Sequence, residues 1–184
     1  MSDLITFVTG NQHKANNMAR FLGIEIDHQK LDLDEIQSND LEEIIEHKVK
    51  QAYELIKCPV IVDDISMGLD ELNNLPGPFV KFFLQAPDGA EKICRMADGL
   101  KNRNAKAHCV IGYYDGHNLK IFKGTITGVI ARHSSGKGGY GWDSIFCPEG
   151  YGGKTRSELN ESDYEEVYRK IRPLAELKAF LTSR

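Results

Sequence analysis

The spacing of apolar and polar positions along this chain changes several times, and each change marks an element. Leu4 to Val8 is a short β-rich apolar run that Thr9-Gly10-Asn11 interrupts. Asn11 suits a helix cap, and Ala15, Met18, Phe21 and Leu22 follow it at helical spacing, which predicts strand, tight turn and helix. Ile24 to Leu33 alternates imperfectly and predicts a second strand ending in the acidic run Asp32-Leu33-Asp34-Glu35. Leu41, Ile44, Ile45, Val49, Ala52 and Ile56 form a helical stripe. Asp40 is placed to cap that helix, Glu43 to complete a capping box, and the end should fall near Lys57. Val60 to Val62 is a β-branched run that predicts a buried strand, so strand, helix and strand follow one another as in a right-handed parallel crossover.

The second half continues differently. After Pro76-Gly77-Pro78, the positions of Val80, Phe83 and Leu84 predict a short buried helix. Another helix should start at Asp88 or Gly89, carry Ile93, Met96 and Ala97, and end near Gly99. Ala105 to Tyr114 predicts a strand, Asp115-Gly116 a hairpin, and Asn118 to Arg132 its return as one long strand or as two around Gly124. This part reads as an antiparallel extension of the sheet. In the last helix Ser162 caps, Glu165 closes the box, and Val167, Ile171, Leu174, Leu177 and Leu181 share a face that Pro173 should bend or break. With no repeat or linker, the expectation is one α/β domain.

Composition narrows the function. A chain of 184 residues, 41% apolar and 27% charged, is an ordinary globular protein with a substantial core. A net charge of −4 argues against binding a nucleic acid polymer through charge alone, while leaving room for a local cationic pocket. No apolar run approaches the roughly 18 residues of a membrane span. The N-terminus lacks a signal-peptide pattern, and Cys58, Cys94, Cys109 and Cys147 are far apart, as thiols in a reducing compartment are. The expected setting is cytoplasmic.

Candidate chemistry centres on Asp63 and Asp64, which directly follow the Val60–Val62 run. Carboxylates at the carboxyl end of a buried strand sit where α/β proteins place ligands, and hard divalent cations prefer such oxygens. The other reading is a strand ending in a solvated turn. Lys14 falls in the first turn of a helix, where it opposes the helix dipole; an anion such as phosphate explains it, and so does simple solvation. Lys81 follows the Pro-Gly-Pro turn. Gly136-Lys137-Gly138-Gly139-Tyr140-Gly141 matches a dinucleotide-binding pattern literally, but Trp142-Asp143 follows where a helix should open. Gly153-Lys154-Thr155 lacks the upstream glycine of a phosphate loop, because Pro148 stands there. The histidines show no metal-ligand spacing, and no nucleophile signature occurs.

Three blocks, in order and spread over almost the whole chain, carry a resemblance. Thr9-Gly10-Asn11-Gln12-His13-Lys14 resembles the T/S-G-N-x-x-K opening of the inosine triphosphate pyrophosphatase (Ham1-like) family. Val62-Asp63-Asp64 with Leu75-Pro76-Gly77-Pro78 is similar to its E-D-T…G-L-P-G block. Tyr140-Gly141-Trp142-Asp143, Phe146 and Pro148-Glu149-Gly150-Tyr151 resemble its aromatic-glycine block. The resemblance implies an elongated two-lobed α/β domain, a curved mixed sheet flanked by helices with a central cleft, and a homodimer. It implies Mg²⁺-dependent hydrolysis of deaminated purine nucleoside triphosphates (ITP, dITP, XTP) to the monophosphate and pyrophosphate.

By position, the resemblance makes Lys14 the phosphate-binding lysine within the Thr9-Gly10-Asn11 turn, and Glu35 the metal-binding glutamate. Asp64 becomes the aspartate that binds metal or acts as base, with Asp63 beside it as a further metal-site carboxylate. Lys81 lies near the phosphates, and Tyr140, Gly141, Trp142 and Asp143 contact base and sugar. The chain departs from the pattern in places. Asp63 is shorter than the family's glutamate, and Ile65 replaces a threonine. Tyr168-Arg169-Lys170 stands where the family has Ser-His-Arg to read the purine 6-oxo group, and Tyr164 stands where it has a lysine for the phosphates. Arg169 and Lys170 are the retained cations there, as base contacts or as a solvated helix face. Base selectivity should therefore differ more readily than the reaction. The alternatives are the same hydrolysis of another modified or a pyrimidine nucleotide, and a nucleotide-binding module without turnover.

Overall fold

In the computed structural model, which describes residues 4–183, seven strands form one mixed sheet among the described residues. The strands are β1 (Thr6–Val8), β2 (Asp27–Gln29), β3 (Val60–Leu69), β4 (Leu75–Gly77), β5 (Asn104–Tyr114), β6 (Leu119–Ile130) and β7 (Phe146–Pro148). The helices are α1 (Gln12–Leu22), α2 (Leu41–Ile56), α3 (Val80–Gln85), α4 (Gly89–Asp98), α5 (Glu161–Ile171) and α6 (Leu174–Thr182). The sheet order is β2-β1-β3-β5-β6-β7, with β4 paired to β3 off that path. Two compact units emerge. The first holds the chain up to Asp64, Val110–Lys123 and the segment from Pro173; the second holds Ile65–Cys109 and Gly124–Arg172.

In the first unit β1 pairs in parallel with both β2 and β3, the arrangement that the strand–helix–strand pattern predicts. Asn11 caps α1 as expected, its Oδ1 accepting the Lys14 backbone N–H at 3.3 Å. The stripe of α2 packs Leu41, Ile44, Ile45, Val49 and Ala52 onto Val8, Val60, Val62 and Val110. Full burial of each such aliphatic side chain contributes about 1.5–3 kcal/mol. Asp40 caps α2 through the Glu42 N–H at 2.8 Å, but the capping box does not close: the Glu43 carboxylate accepts the Ser38 hydroxyl at 2.6 Å instead. Lys57, in the left-handed region at φ 59°, ends the helix.

Two strand expectations need correction. The second strand covers only Asp27–Gln29, not Ile24–Leu33. Downstream, Asp34 exchanges hydrogen bonds with the Gln51 side chain of α2, which takes the place of strand pairing. β3, in turn, does not end at Asp63-Asp64. It runs on to Leu69, because Ser66 to Leu69 are buried and Met67–Leu69 pair antiparallel with Leu75–Gly77. Asp63 and Asp64 lie on one continuous strand, beyond its pairing with β1 at Val60 and Ile61 and before its pairing with β4.

The second unit buries Met67, Leu69, Ile93, Ala97, Ala105, Ile130, Phe146, Val167 and Ile171. The short helix α3 forms, yet only Val80 of it is buried; Phe82 and Phe83 are exposed, as is Met96 on α4. β6 is one strand rather than two. At its hairpin with β5, in the first unit, Asp115 accepts the His117 and Asn118 N–H groups at 3.0 and 2.7 Å. Burial opposes its charged form, but these N–H groups prevail and hold its pKa down to about 2. α5 starts two residues earlier than expected, capped by Asn160 through the Asp163 N–H at 2.9 Å. Pro173 breaks the helical pattern outright, since Arg172 is extended and α6 begins afresh at Leu174.

Candidate active site

The first unit gathers cations and carboxylates around the open end of β1. Thr9 leaves β1 with its N–H on Gln29 O at 3.0 Å, its Oγ1 accepting the Asn11 N–H at 3.2 Å, and its carbonyl accepting His28 Nε2–H at 2.9 Å. This fixes the Thr9-Gly10-Asn11 turn from which α1 rises. Lys14, one turn into α1, donates its Nζ–H to Asp63 Oδ1 at 3.0 Å. The Asp63 side chain is 1% exposed, so the pair is nearly desolvated, a setting in which charge-assisted hydrogen bonds hold geometry tightly.

Side chains alternate along a strand, so Asp64 points to the opposite face from Asp63. There it accepts a hydrogen bond from Lys48 Nζ at 3.2 Å, and Glu35 Oε1 lies at 3.2 Å from the same ammonium. Burial disfavours the Lys48 charge, but the Asp64 and Glu35 carboxylates outweigh it and hold the lysine above its ordinary pKa. Lys48 has a signature in the sequence that apolar patterning alone passes over. Positions 41, 44, 45, 48, 49 and 52 run at i, i+3, i+4, i+7, i+8 and i+11, and the i+7 place is filled by lysine where a core residue would fit.

The second unit holds the aromatic block. Tyr140 is exposed, whereas Trp142 and Asp143 are buried. Asp143 Oδ2 accepts the Tyr140 backbone N–H at 3.0 Å and the Tyr164 hydroxyl at 2.9 Å, and its Oδ1 accepts Arg156 Nη1–H at 2.5 Å. Gly141 follows at φ +64°, a conformation that favours glycine. Lys81 is exposed at the start of α3, its Nζ 5.2 Å from the Phe82 ring centroid. Arg169 and Lys170 lie on an exposed face of α5. Arg169 reaches Glu165 at 3.7 Å, and Lys170 reaches Glu166 at 2.7 Å and the Tyr151 hydroxyl at 3.0 Å. Tyr168 is buried, with the Arg172 guanidinium carbon 3.8 Å from its ring centroid.

Thus the structure joins Lys14 to Asp63 and joins Glu35 to Asp64 through Lys48. It assembles Tyr140, Trp142 and Asp143 around Arg156 and Tyr164, and leaves Lys81, Arg169 and Lys170 with other neighbours. Among the described residues no group of three His, Cys, Asp or Glu is close enough to hold a metal alone. Among the described residues no helix is long and apolar enough to cross a membrane.

These features define an α/β protein whose strand carboxylates are counter-charged by helix lysines beside the Thr9-Gly10-Asn11 turn. Residues 5–180 match the Ham1 family, and the chain belongs to it. It is 35% identical to inosine triphosphate pyrophosphatase 2 of Trypanosoma cruzi, over 95% of this chain and 90% of that one. It is 36% identical to the inosine triphosphate pyrophosphatase of Schizosaccharomyces pombe, over 97% and 95%. A solved structure of a HAM1 protein from Coxiella burnetii superposes with a TM-score of 0.86 at 26% identity, covering 98% of this chain and all of that one.

Proposed function

We propose that this chain hydrolyses deaminated purine nucleoside triphosphates (ITP, dITP, XTP) to the monophosphate and pyrophosphate. The observation that carries the reading is the pair of lysines, Lys14 and Lys48, each held by strand carboxylates of the first unit at 3.0–3.2 Å. Relatives matched over 90% or more of their own length are named inosine triphosphate pyrophosphatases, which supplies the substrate class.

In this reading water attacks the α-phosphorus, and the bond to the bridging oxygen of the departing pyrophosphate breaks. Asp64, with its side chain 30% exposed, orients the water and accepts its proton. Lys14 and Lys48 offset charge that grows on the phosphate oxygens, with Asp63 keeping the Lys14 ammonium in place. Glu35 and Asp64 are the carboxylates that would hold a divalent cation: each has an oxygen turned to the same side, 3.2 Å from the Lys48 ammonium, and Mg²⁺ is commonly bound by one or two carboxylates plus substrate phosphates. Bound there, Mg²⁺ would supply Lewis-acid stabilisation of the phosphates. Asp63, turned toward Lys14, serves the lysine. Thr9, Gly10 and Asn11 supply the first unit's turn for the phosphate chain, and Lys81 is an exposed cation of the second unit. In the second unit Tyr140 and Gly141 offer a surface for the base, with the buried Asp143 holding the Tyr140 backbone N–H.

The proposal includes a homodimer, for which the exposed Phe82, Phe83 and Met96 provide apolar surface, and a cytoplasmic setting. The latter is supported by four cysteines with no disulfide among the described residues. A second reading keeps the reaction and changes the base. It is favoured by the placement of Arg169 and Lys170 against glutamates, and of Tyr168 inside the core. A panel of nucleoside triphosphates with Mg²⁺, assayed for pyrophosphate, decides between them. Preference for ITP or XTP supports the first, preference for a pyrimidine nucleotide the second, and no release from any sinks both.

A further inference from the structure

The glycine-rich loop that fails as a dinucleotide turn has a different structural task. Gly136, at φ +88°, packs so closely on Ser157 that a Cβ would lie 2.6 Å from its backbone carbon, and the Gly138 N–H donates to Ser157 O at 3.3 Å. Gly139, at φ +73°, lies directly on Asp143: a Cβ there would meet Oδ2 at 2.3 Å. Tyr140 comes next, 46% exposed, with its backbone N–H on the same Oδ2. The Asp143 carboxylate is therefore the post to which the loop is tied.

Two residues fasten that post. Arg156 is buried, donates to Oδ1, and lies over two rings, its guanidinium carbon 5.1 Å from the Trp142 centroid and 4.7 Å from that of Tyr164. Its Nε–H is buried and makes no hydrogen bond, so the group is placed for Asp143 and the rings at the expense of its own satisfaction. Tyr164 donates its hydroxyl to Oδ2. With three donors on it and almost no exposure, Asp143 is occupied from within the protein.

We propose that Arg156 and Tyr164 are positioning residues for base recognition: through Asp143 they fix the loop that presents Tyr140, and so set how tightly the chain holds the base of its nucleotide. This rests on the nucleotide-hydrolysis reading above and adds to it two residues that act without touching the base. It also gives Tyr164, which stands where the family resemblance places a phosphate-contacting lysine, a task on the base side.

The test is calorimetric binding of IMP and, separately, of inorganic triphosphate, to the full chain and to its Tyr164→Phe and Arg156→Lys variants. Losing one buried hydrogen bond in Tyr164→Phe should weaken IMP about five-fold, and Arg156→Lys about ten-fold, while inorganic triphosphate shifts by less than about two-fold. Equal weakening of both ligands would mean a general loss of structure and overturn the proposal, as would IMP affinity unchanged in both variants. Tyr164→Phe keeps ring and volume, so it decides the matter if Arg156→Lys does not fold. Wild-type pyrophosphate release from ITP is measured alongside. An active wild type with indifferent variants removes only this inference, and a wild type that neither binds IMP nor releases pyrophosphate removes both.

Discussion

Lys48 Nζ lies 3.2 Å from Asp64 Oδ2 although the lysine comes from α2 and the aspartate from the middle of β3. The ammonium is held at the same distance from Glu35, so one cation gathers two carboxylates that would otherwise repel. The side chain of Lys48 is 13% exposed, and although burial disfavours its charge, Asp64 and Glu35 hold its pKa above the ordinary value.

Replacing Lys48 with methionine, which preserves length and packing, should lower kcat/KM for ITP by about 100-fold, or about 2.7 kcal/mol of transition-state stabilisation. Steady-state kinetics alongside circular dichroism check this. Wild-type kinetics would mean that Lys48 only shields its carboxylates.

Lys14→Met removes the charged partner of a buried carboxylate as well as a phosphate contact. Breaking such a pair costs about 3 kcal/mol. Urea unfolding should show a loss of that order together with a rise in KM. An undiminished midpoint would contradict the buried pairing of Lys14 with Asp63.

Chelation should separate fold from function. Glu35 and Asp64 already share Lys48, so the fold does not need a divalent cation to offset their charge. EDTA should abolish pyrophosphate release, Mg²⁺ should restore it, and the thermal midpoint should move by less than about 2 °C. Full activity in EDTA would contradict the metal part of the proposal.

Burial, and then the neighbouring Asp143 carboxylate, push the Tyr164 phenol above its ordinary 10.0. A group whose folded pKa is raised stabilises the fold fully below its unfolded value, about 10, and loses that contribution as pH rises through the folded value. Stability of the wild type should therefore fall more steeply above about pH 10 than that of Tyr164→Phe. Denaturant midpoints across the alkaline range measure it, and parallel curves would refute it.

The elements legible in the sequence are α2 and the α5–α6 pattern with its break at Pro173, whose apolar residues repeat over several turns, and the β5–β6 hairpin, which Asp115-Gly116 marks. Asp63 and Asp64 were legible as chemistry but not as mid-strand residues, because what carries β3 onward is its pairing with β4, a contact that local patterning does not encode. Lys48 hides inside an apolar stripe, and Arg156 in a polar turn whose burial depends on Trp142, Asp143 and Tyr164. Lys48 shows in the sequence only as a break in that stripe, and the partners of both residues emerge only when distant segments meet.

The most direct test of the central claim is product stoichiometry from ITP with Mg²⁺, for the wild type and for Asp64→Asn. The account predicts one pyrophosphate and one IMP per ITP with no orthophosphate from the wild type, and turnover reduced by about 1,000-fold or more in Asp64→Asn with nucleotide binding largely kept. Release of orthophosphate with IDP, or undiminished turnover in Asp64→Asn, would contradict it.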